Sequence, residues 1–111
     1  MIVGIGCDIV EITRIKEFIE KQKKLIFLTE QEQAICKDFP IKRKAEWVAG
    51  RFAAKEALVK AMHTQASHHI CDFEILSNPD GSPQCNIDGY TIHLSIAHEN
   101  EYAIAYAFVE Q

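Results

Sequence analysis

Two acidic residues, Asp8 and Glu56, stand where a carboxylate could take part in chemistry. Glu56 belongs to the segment 47–62, WVAGRFAAKEALVKAM, whose alanines and straight-chain residues predict a helix. At about 100° per residue this helix is apolar on two opposite sides, which is typical of a buried helix. Lys60 lies one turn after Glu56, beside small alanines. Because unpaired charge is costly to bury, we expect this carboxylate and ammonium to face a cleft. An ordinary Glu–Lys pair on a solvated helix face is the alternative.

Asp8 belongs to the first ten residues, MIVGIGCDIV, which alternate as a β-strand does. It shares one face with Gly4 and Gly6, and glycine in a strand marks close approach by another backbone or by a ligand. Two carboxylates on separate elements suit Mg²⁺, which proteins hold through one or two carboxylates and substrate phosphates. Cations available to bind such phosphates are Lys42, Arg43, Arg51, Lys60 and His98. The chain has no P-loop and no G-x-G-x-x-G motif, so nucleotide cradles of those kinds are not indicated.

Periodicity and capping signals predict the helices around these residues. Residues 12–24 have helical spacing and carry five cations against two carboxylates, a surplus of +3 in a chain of net charge −4. This surplus fits either a solvated face or an acidic partner. A capping box of Thr29 and Glu32 starts a second helix that should end before Pro40. Three consecutive cations precede the predicted central helix: Lys42, Arg43 and Lys44. They are consistent either with ordinary surface charge or with a site that binds phosphate.

The second half of the chain is predicted to form strands and turns. A short strand is expected at 73–76, before a segment at 78–83 that is dense in turn residues. The segments 91–97 and 102–109 alternate or are apolar, so they predict a hairpin with His98 at its mouth. A lone loop histidine is more often incidental than catalytic.

Composition limits the class of protein. The chain has 111 residues, 48% hydrophobic and 25% charged, which fits one soluble globular domain spanning 1–111. No apolar run approaches the ~20 residues of a membrane helix, and the strand-like start is not a signal peptide, so we expect a cytoplasmic protein without a membrane partner. The net charge argues against a nucleic-acid partner. Four scattered cysteines without a C-x-x-C pair predict reduced thiols and no zinc site.

Three blocks of sequence resemble a known family. GIGCDIVEITRI, GRFAAKEALVKA and LSIAHENEYAIA are similar, in order and spacing, to the signature regions of the small holo-acyl-carrier-protein synthases. These are 4'-phosphopantetheinyl transferases of bacterial fatty-acid synthesis. The resemblance runs from Met1 nearly to the C-terminus. It implies an α+β fold, with an antiparallel sheet and a long central helix, and a homotrimer with a site at each subunit interface.

The resemblance also implies a reaction and roles for individual residues. The enzyme would move 4'-phosphopantetheine from coenzyme A to a serine of apo-acyl carrier protein and release adenosine 3',5'-bisphosphate. Asp8 and Glu56 would bind Mg²⁺, Lys60 would contact the pyrophosphate or assist proton transfer, and Arg14 would contact the carrier. The residues implied in coenzyme A binding are Lys42 and Arg43 at the 3'-phosphate, His98 at a phosphate, and Gly81, Ser82 and Pro83 in a covering loop. Arg51 joins this set as a cation available to bind phosphate.

The expected chemistry agrees with the residue types. Displacement at a pyrophosphate develops charge on oxygen, which Mg²⁺ and cations stabilise, while the serine nucleophile belongs to the carrier. The sequence departs from the family in a shorter segment before Thr29 and in Ala97, where a hydroxyl residue is common. The missing hydroxyl removes one possible phosphate hydrogen bond, worth ~1 kcal/mol. A coenzyme A or carrier-binding module without catalysis is the alternative, but it could lose Asp8, Glu56 or Lys60, and all three are present.

Overall fold

The computed structural model describes residues 1–63 and 68–111, so most of the polar stretch expected after the central helix lies outside the described residues. In chain order the elements are β1 (Ile2–Glu11), α1 (Ile12–Glu20), α2 (Glu30–Cys36), α3 (Ile41–Ala61), a 3₁₀ helix (Ile70–Asp72), β2 (Leu76–Ser77), β3 (Pro83–Gln84), β4 (Thr91–His98) and β5 (Tyr102–Glu110).

An antiparallel sheet of order β1-β5-β4 lies against the long helix α3. In the register Asp8 stands opposite Ala105, and β4 pairs with β5 as the predicted hairpin. The alternating alanines of β5, Ala103 to Ala107, are fully buried, as are most alanines of α3. The predicted α+β fold, with an antiparallel sheet and a long central helix buried on two sides, is confirmed. None of the helices in the described ranges combines the length and apolarity needed to span a bilayer.

The two glycines of β1 let α3 approach the strand at backbone distance. A Cβ atom on Gly4 would lie 1.6 Å from the carbonyl oxygen of Ala61, and one on Gly6 would lie 2.0 Å from that of Ala57. Real Cβ contacts are never this short, so only glycine fits at either position. Of the two explanations that the sequence left open, close backbone packing is therefore the correct one for these glycines.

Helix α3 begins at Ile41, earlier than the predicted start at Trp47, with Pro40 at its N-cap. Proline is tolerated at a helix start because the first N–H groups have no partner within the helix. The predicted position of Lys42, Arg43 and Lys44 ahead of the helix was therefore wrong, because they lie in its first turn. Cations there oppose the helix dipole, which favours anions at this end.

Helix α1 is shorter than predicted, since it ends at Glu20 rather than near Lys24. Gln22 has φ +55°, a left-handed conformation that ends the helix. Much of the basic surplus therefore lies in the turn that follows, which contains Lys21, Lys23 and Lys24. Within α1 itself, the two cations Arg14 and Lys16 are balanced by Glu17 and Glu20.

The strand predicted at 73–76 was also misplaced. Phe73 and Ile75 are fully buried, as their alternation suggests, but only Leu76 and Ser77 pair with another strand. The N–H of Ile75 donates instead to Glu32 Oε2, at 2.7 Å. A side chain thus takes the backbone hydrogen bond that a neighbouring strand would otherwise have made.

Candidate functional site

Asp8 and Lys60 meet where β1 crosses α3. Lys60 Nζ lies 3.3 Å from Asp8 Oδ1 and donates to the carbonyl oxygen of Cys7 at 2.9 Å. The Asp8 side chain is 20% exposed, whereas that of Lys60 is 55% exposed. Glu56 is half-buried one turn before Lys60, and the ion pairs among the described residues do not include one between them. The simple Glu–Lys pair on one helix face is therefore not what forms, because Lys60 pairs with β1.

The carboxylates predicted to bind a metal fit Mg²⁺ better than a metal that takes all of its ligands from the protein. Within residues 1–63 and 68–111, no group of three or more His, Cys, Asp or Glu side chains is placed to hold a metal ion. The two carboxylates predicted to bind the metal are Asp8 on β1 and Glu56 on α3. Mg²⁺ is commonly held by one or two carboxylates while it keeps water and binds substrate phosphate oxygens, so the set is compatible with it.

A cleft of 290 Å³ lies between α3, the β2–β3 turn and the end of β4, and we call it the α3–β4 cleft. Five residues predicted to bind coenzyme A line it: Arg43, Arg51, Gly81, Pro83 and His98. Lys42 and Ser82 are outside the lining, although each adjoins a residue within it. The cleft thus brings together cations that lie far apart in the sequence.

Arg51 is the most enclosed cation of the cleft, with only 8% of its surface exposed. Its guanidinium lies over the Trp47 ring at 4.2 Å. It donates from Nε to the carbonyl oxygen of Ile75 at 3.5 Å and from Nη2 to Ser77 Oγ at 3.0 Å. Burial lowers the pKa of Arg51, although a guanidinium stays protonated in proteins. The result is a fixed, partly desolvated positive charge, which attracts an anion more strongly than a solvated one.

The β2–β3 turn closes one side of the cleft. Gly81 has φ +90°, a conformation that other residues rarely adopt. Ser82 donates from its hydroxyl and from its backbone N–H to Asp80 Oδ1, at 2.6 and 2.9 Å, and these bonds lower the pKa of Asp80. The Ser82 hydroxyl therefore stabilises the turn from within.

His98 lies at the rim of the cleft, with its Nδ1 atom 3.9 Å from Glu46 Oε2. Ile96 lines the same cleft, whereas Ala97 between them is exposed. Because side chains alternate along a strand, Ala97 points to the opposite face of the sheet. A hydroxyl at this position would not enter the α3–β4 cleft of its own chain.

Sequence reasoning missed several residues that line the cleft: Glu46, Trp47, Gly50 and Ile96. The helical spacing from Arg43 through Glu46 and Trp47 to Gly50 and Arg51 would have revealed the first three, had the helix been started at Ile41. Gly50 also admits β4 closely, because a Cβ atom there would lie 2.9 Å from Ile96 Cγ2.

The sheet face turned away from α3, here called the outer face, is unusually apolar for an exposed surface. Ile5 and Ile9 of β1 are 59% and 60% exposed, and Tyr106 and Phe108 of β5 are 47% and 41% exposed. Ile5 stands directly opposite Phe108 in the register, so these side chains form one continuous patch. Arg14 is exposed on α1, close to the end of β1.

Comparisons with known proteins agree with this architecture. The family model of the 4'-phosphopantetheinyl transferase superfamily matches residues 4–107. The holo-[acyl-carrier-protein] synthase of Geobacillus kaustophilus is 45% identical over 117 aligned positions, which cover 100% of this chain and 91% of that protein. The crystal structure of a Bacillus anthracis synthase in complex with CoA (3',5'-ADP) is 39% identical with a TM-score of 0.88, covering 98% of this chain and 96% of that one.

A more distant solved structure extends the agreement. The Helicobacter pylori holo-[acyl-carrier-protein] synthase in complex with coenzyme A is 30% identical with a TM-score of 0.78. The match covers 96% of this chain and 99% of that one. These three similar proteins are holo-[acyl-carrier-protein] synthases, and the chain belongs to the 4'-phosphopantetheinyl transferase superfamily.

Proposed function

We propose that this chain, as a single domain spanning 1–111, transfers 4'-phosphopantetheine from coenzyme A to a serine hydroxyl of apo-acyl carrier protein. The products are holo-acyl carrier protein and adenosine 3',5'-bisphosphate, and the reaction depends on Mg²⁺. One observation carries the proposal: α3 bears Arg43 and Arg51 in the α3–β4 cleft and, further along, Glu56 and the Asp8-bound Lys60. One helix thus carries the proposed phosphate-binding cations and one of the two proposed metal ligands, while β1 supplies the other, Asp8.

The α3–β4 cleft is the proposed site for coenzyme A. Arg51 offers a guanidinium held in place by Trp47 and Ser77, and Arg43 and His98 stand on the same cleft. Lys42, beside Arg43 in the first turn of α3, adds charge for the 3'-phosphate. Gly81 and Pro83 cover the cofactor from the β2–β3 turn, whose shape Ser82 maintains.

The proposed reaction centre lies beside Asp8. Asp8 and Glu56 would hold Mg²⁺, which when bound supplies positive charge to the pyrophosphate oxygens. Lys60, kept near Asp8 by its bond to the Cys7 carbonyl, would contact the pyrophosphate oxygens that gain charge or assist transfer of the serine proton. The attacking hydroxyl comes from the carrier, so this chain contributes charge and position, and no nucleophile of its own.

We propose that the chain forms the homotrimer implied by the resemblance, and the outer face supports such self-association. Exposed apolar patches of this continuity mark interaction surfaces, and the patch spans two neighbouring strands. Covering it with further copies of the chain would place β1, and with it Asp8 and Arg14, next to a subunit interface. The cytoplasmic location expected from the sequence remains a prediction.

The decisive experiment incubates the protein with coenzyme A, Mg²⁺ and apo-acyl carrier protein and weighs the carrier by mass spectrometry. We expect a gain equal to one phosphopantetheine group, together with release of adenosine 3',5'-bisphosphate. A carrier whose mass stays unchanged, although coenzyme A binds, would support the alternative of a non-catalytic binding module.

A further inference from the structure

A fully buried ion pair joins α2 to α3 outside the site described above. Lys55 Nζ lies 2.5 Å from Glu32 Oε1, with neither side chain exposed, and it also donates to the carbonyl oxygen of Phe27 at 2.7 Å. Apolar residues of similar volume often replace a buried ion pair with no loss of stability. A contribution to stability alone therefore does not explain why these charges are present.

Glu32 makes further bonds that an apolar residue could not make. Its Oε1 atom accepts the N–H of Thr29 at 2.8 Å, which completes the predicted capping box. Its Oε2 atom accepts the N–H of Ile75 at 2.7 Å. One carboxylate therefore caps α2, neutralises Lys55 and fixes the backbone at residue 75.

The backbone at residues 75–77 in turn fixes Arg51. Both hydrogen-bond partners of the guanidinium come from this short segment, the Ile75 carbonyl at 3.5 Å and Ser77 Oγ at 3.0 Å. Strand pairing holds Leu76 and Ser77, whereas the N–H of Ile75, whose side chain is buried in the core, is held by Glu32. The direction of the guanidinium in the α3–β4 cleft thus depends on a carboxylate that does not line the cleft.

We propose that Glu32 is a positioning residue for Arg51, acting through the backbone of Ile75, with Lys55 as its neutralising partner. Contacts thus run from Lys55 to Glu32, from Glu32 to the backbone of Ile75, and from there to Arg51. Lys55 and Arg51, the first and last of these residues, are one helical turn apart on α3. This role rests on the proposed binding of coenzyme A phosphate by Arg51. It predicts that damage at Glu32 appears as weaker coenzyme A binding.

The test uses the variant Glu32→Gln. Calorimetry measures its affinity for coenzyme A, and the transferase assay measures its kcat and its KM for the carrier. Glutamine keeps the volume but loses the charge that serves three donors. We expect the Kd for coenzyme A to rise about tenfold, the scale of one charged hydrogen bond, while the KM for the carrier stays within about twofold. Glu30→Gln, an exposed neighbour on the same helix, is the matched control and should leave affinity unchanged.

A double-mutant cycle separates positioning from general damage. If Glu32 acts through Arg51, Glu32→Gln adds little to the affinity already lost in Arg51→Ala. Fully additive losses would overturn the proposal, and so would unchanged coenzyme A affinity in Arg51→Ala. The NMR signal of the Arg51 Nε–H group should shift in Glu32→Gln and not in Glu30→Gln; an unmoved signal would also overturn it.

A second variant guards against simple unfolding. Glu32→Met with Lys55→Met removes both charges at similar volume, so neither charge stays buried without its partner. The N–H groups of Thr29 and Ile75 still lose their acceptor, so the unfolding midpoint should fall while the protein stays folded. Coenzyme A affinity should nevertheless stay reduced, because methionine cannot accept the Ile75 N–H. Restored affinity would show that the pair matters for folding only and would overturn the positioning role. If the wild type had no transferase activity, the proposed function would be wrong. The calorimetric measurements of coenzyme A affinity would still test the positioning role of Glu32, because they do not require turnover.

Discussion

At the residue scale, the proposed chemistry depends most directly on the charge of Asp8. It shares a strand face with Gly4 and Gly6, against which α3 packs, and it is partly exposed beside Lys60. We predict that Asp8→Asn or Glu56→Gln lowers kcat by ~10³-fold or more, because a metal ligand contributes several kcal/mol to stabilising phosphate charge. Carrier mass gain at saturating coenzyme A measures the loss, and thermal unfolding checks that the fold persists.

Asp88→Asn is the matched control for that prediction. Asp88 is an exposed carboxylate in the turn before β4, so its loss should not affect turnover. Near-normal turnover by either Asp8→Asn or Glu56→Gln, at ordinary Mg²⁺ concentrations, would contradict the metal assignment.

The cysteines give a second prediction at this scale. All four are free, but burial raises the pKa of Cys85 to about 11 and raises the pKa of Cys36 as well. Only the thiolate is nucleophilic, so iodoacetamide at about pH 8 should modify exposed Cys71 and spare both buried thiols. Peptide mapping before and after unfolding in urea measures this. Labelling of Cys85 in the folded protein as fast as Cys71 would contradict its burial.

At the element scale, the close contact between β1 and α3 holds Lys60 of the helix against Asp8 of the strand. We predict that Gly6→Ala lowers the free energy of unfolding by ~2 kcal/mol or more, since overpacking against backbone cannot be relieved by a side-chain shift. Urea denaturation measures the loss. Gly50→Ala is the comparison, because its Cβ atom would meet a side-chain methyl group, Ile96 Cγ2, rather than the backbone of another element, so its loss of stability should be smaller. Equal stability of the two variants would mean that α3 does not pack so closely.

Helix α1 sets a prediction about the carrier. Because α1 has no net charge of its own, Arg14 is expected to act through its position near the end of β1, and the lysines of the following turn through long-range attraction. Arg14→Glu should raise the KM for the carrier at least tenfold at low salt, while coenzyme A affinity barely changes. Added salt should weaken carrier use by the wild type in the same direction.

Lys16→Glu, on the same helix, provides the control for Arg14→Glu. It makes the same change of charge at an exposed position, so a similar loss in both variants would indicate charge alone. Equal loss of coenzyme A and carrier binding in Arg14→Glu would place Arg14 in the nucleotide site or the fold instead.

The elements also show which features the sequence could predict. The alternation of β1, β4 and β5 and the alanine-rich pattern of α3 predicted the sheet and helix, because those patterns depend on burial alone. The capping box predicted Glu32 only as a local cap. Its bonds to Lys55 and Ile75 join residues far apart in the chain, and no local pattern specifies such contacts. For the same reason, the strand expected at 73–76 was misplaced.

At the scale of the whole molecule, the two faces of the sheet differ in what covers them. The inner face is closed by α3, with alanines that allow close contact, whereas the outer face exposes isoleucine and aromatic side chains. Cys7 lies on this outer face, opposite Tyr106, while its neighbour Asp8 points towards the helix side. Assembly through the outer face would therefore bury Cys7 and leave Asp8 beside the interface.

The last prediction follows from this arrangement: the protein is a homotrimer in solution, and Cys7 is protected from iodoacetamide although it is exposed in the single chain. Ile5→Glu places a charge in the centre of the patch, so it should dissociate the trimer, expose Cys7 to labelling and lower transferase activity. Light scattering and peptide mapping follow the first two effects. Ile26→Glu, at an exposed isoleucine in the segment between α1 and α2, should leave the mass unchanged. A wild-type monomer with full activity and a freely labelled Cys7 would rule out assembly through the outer face.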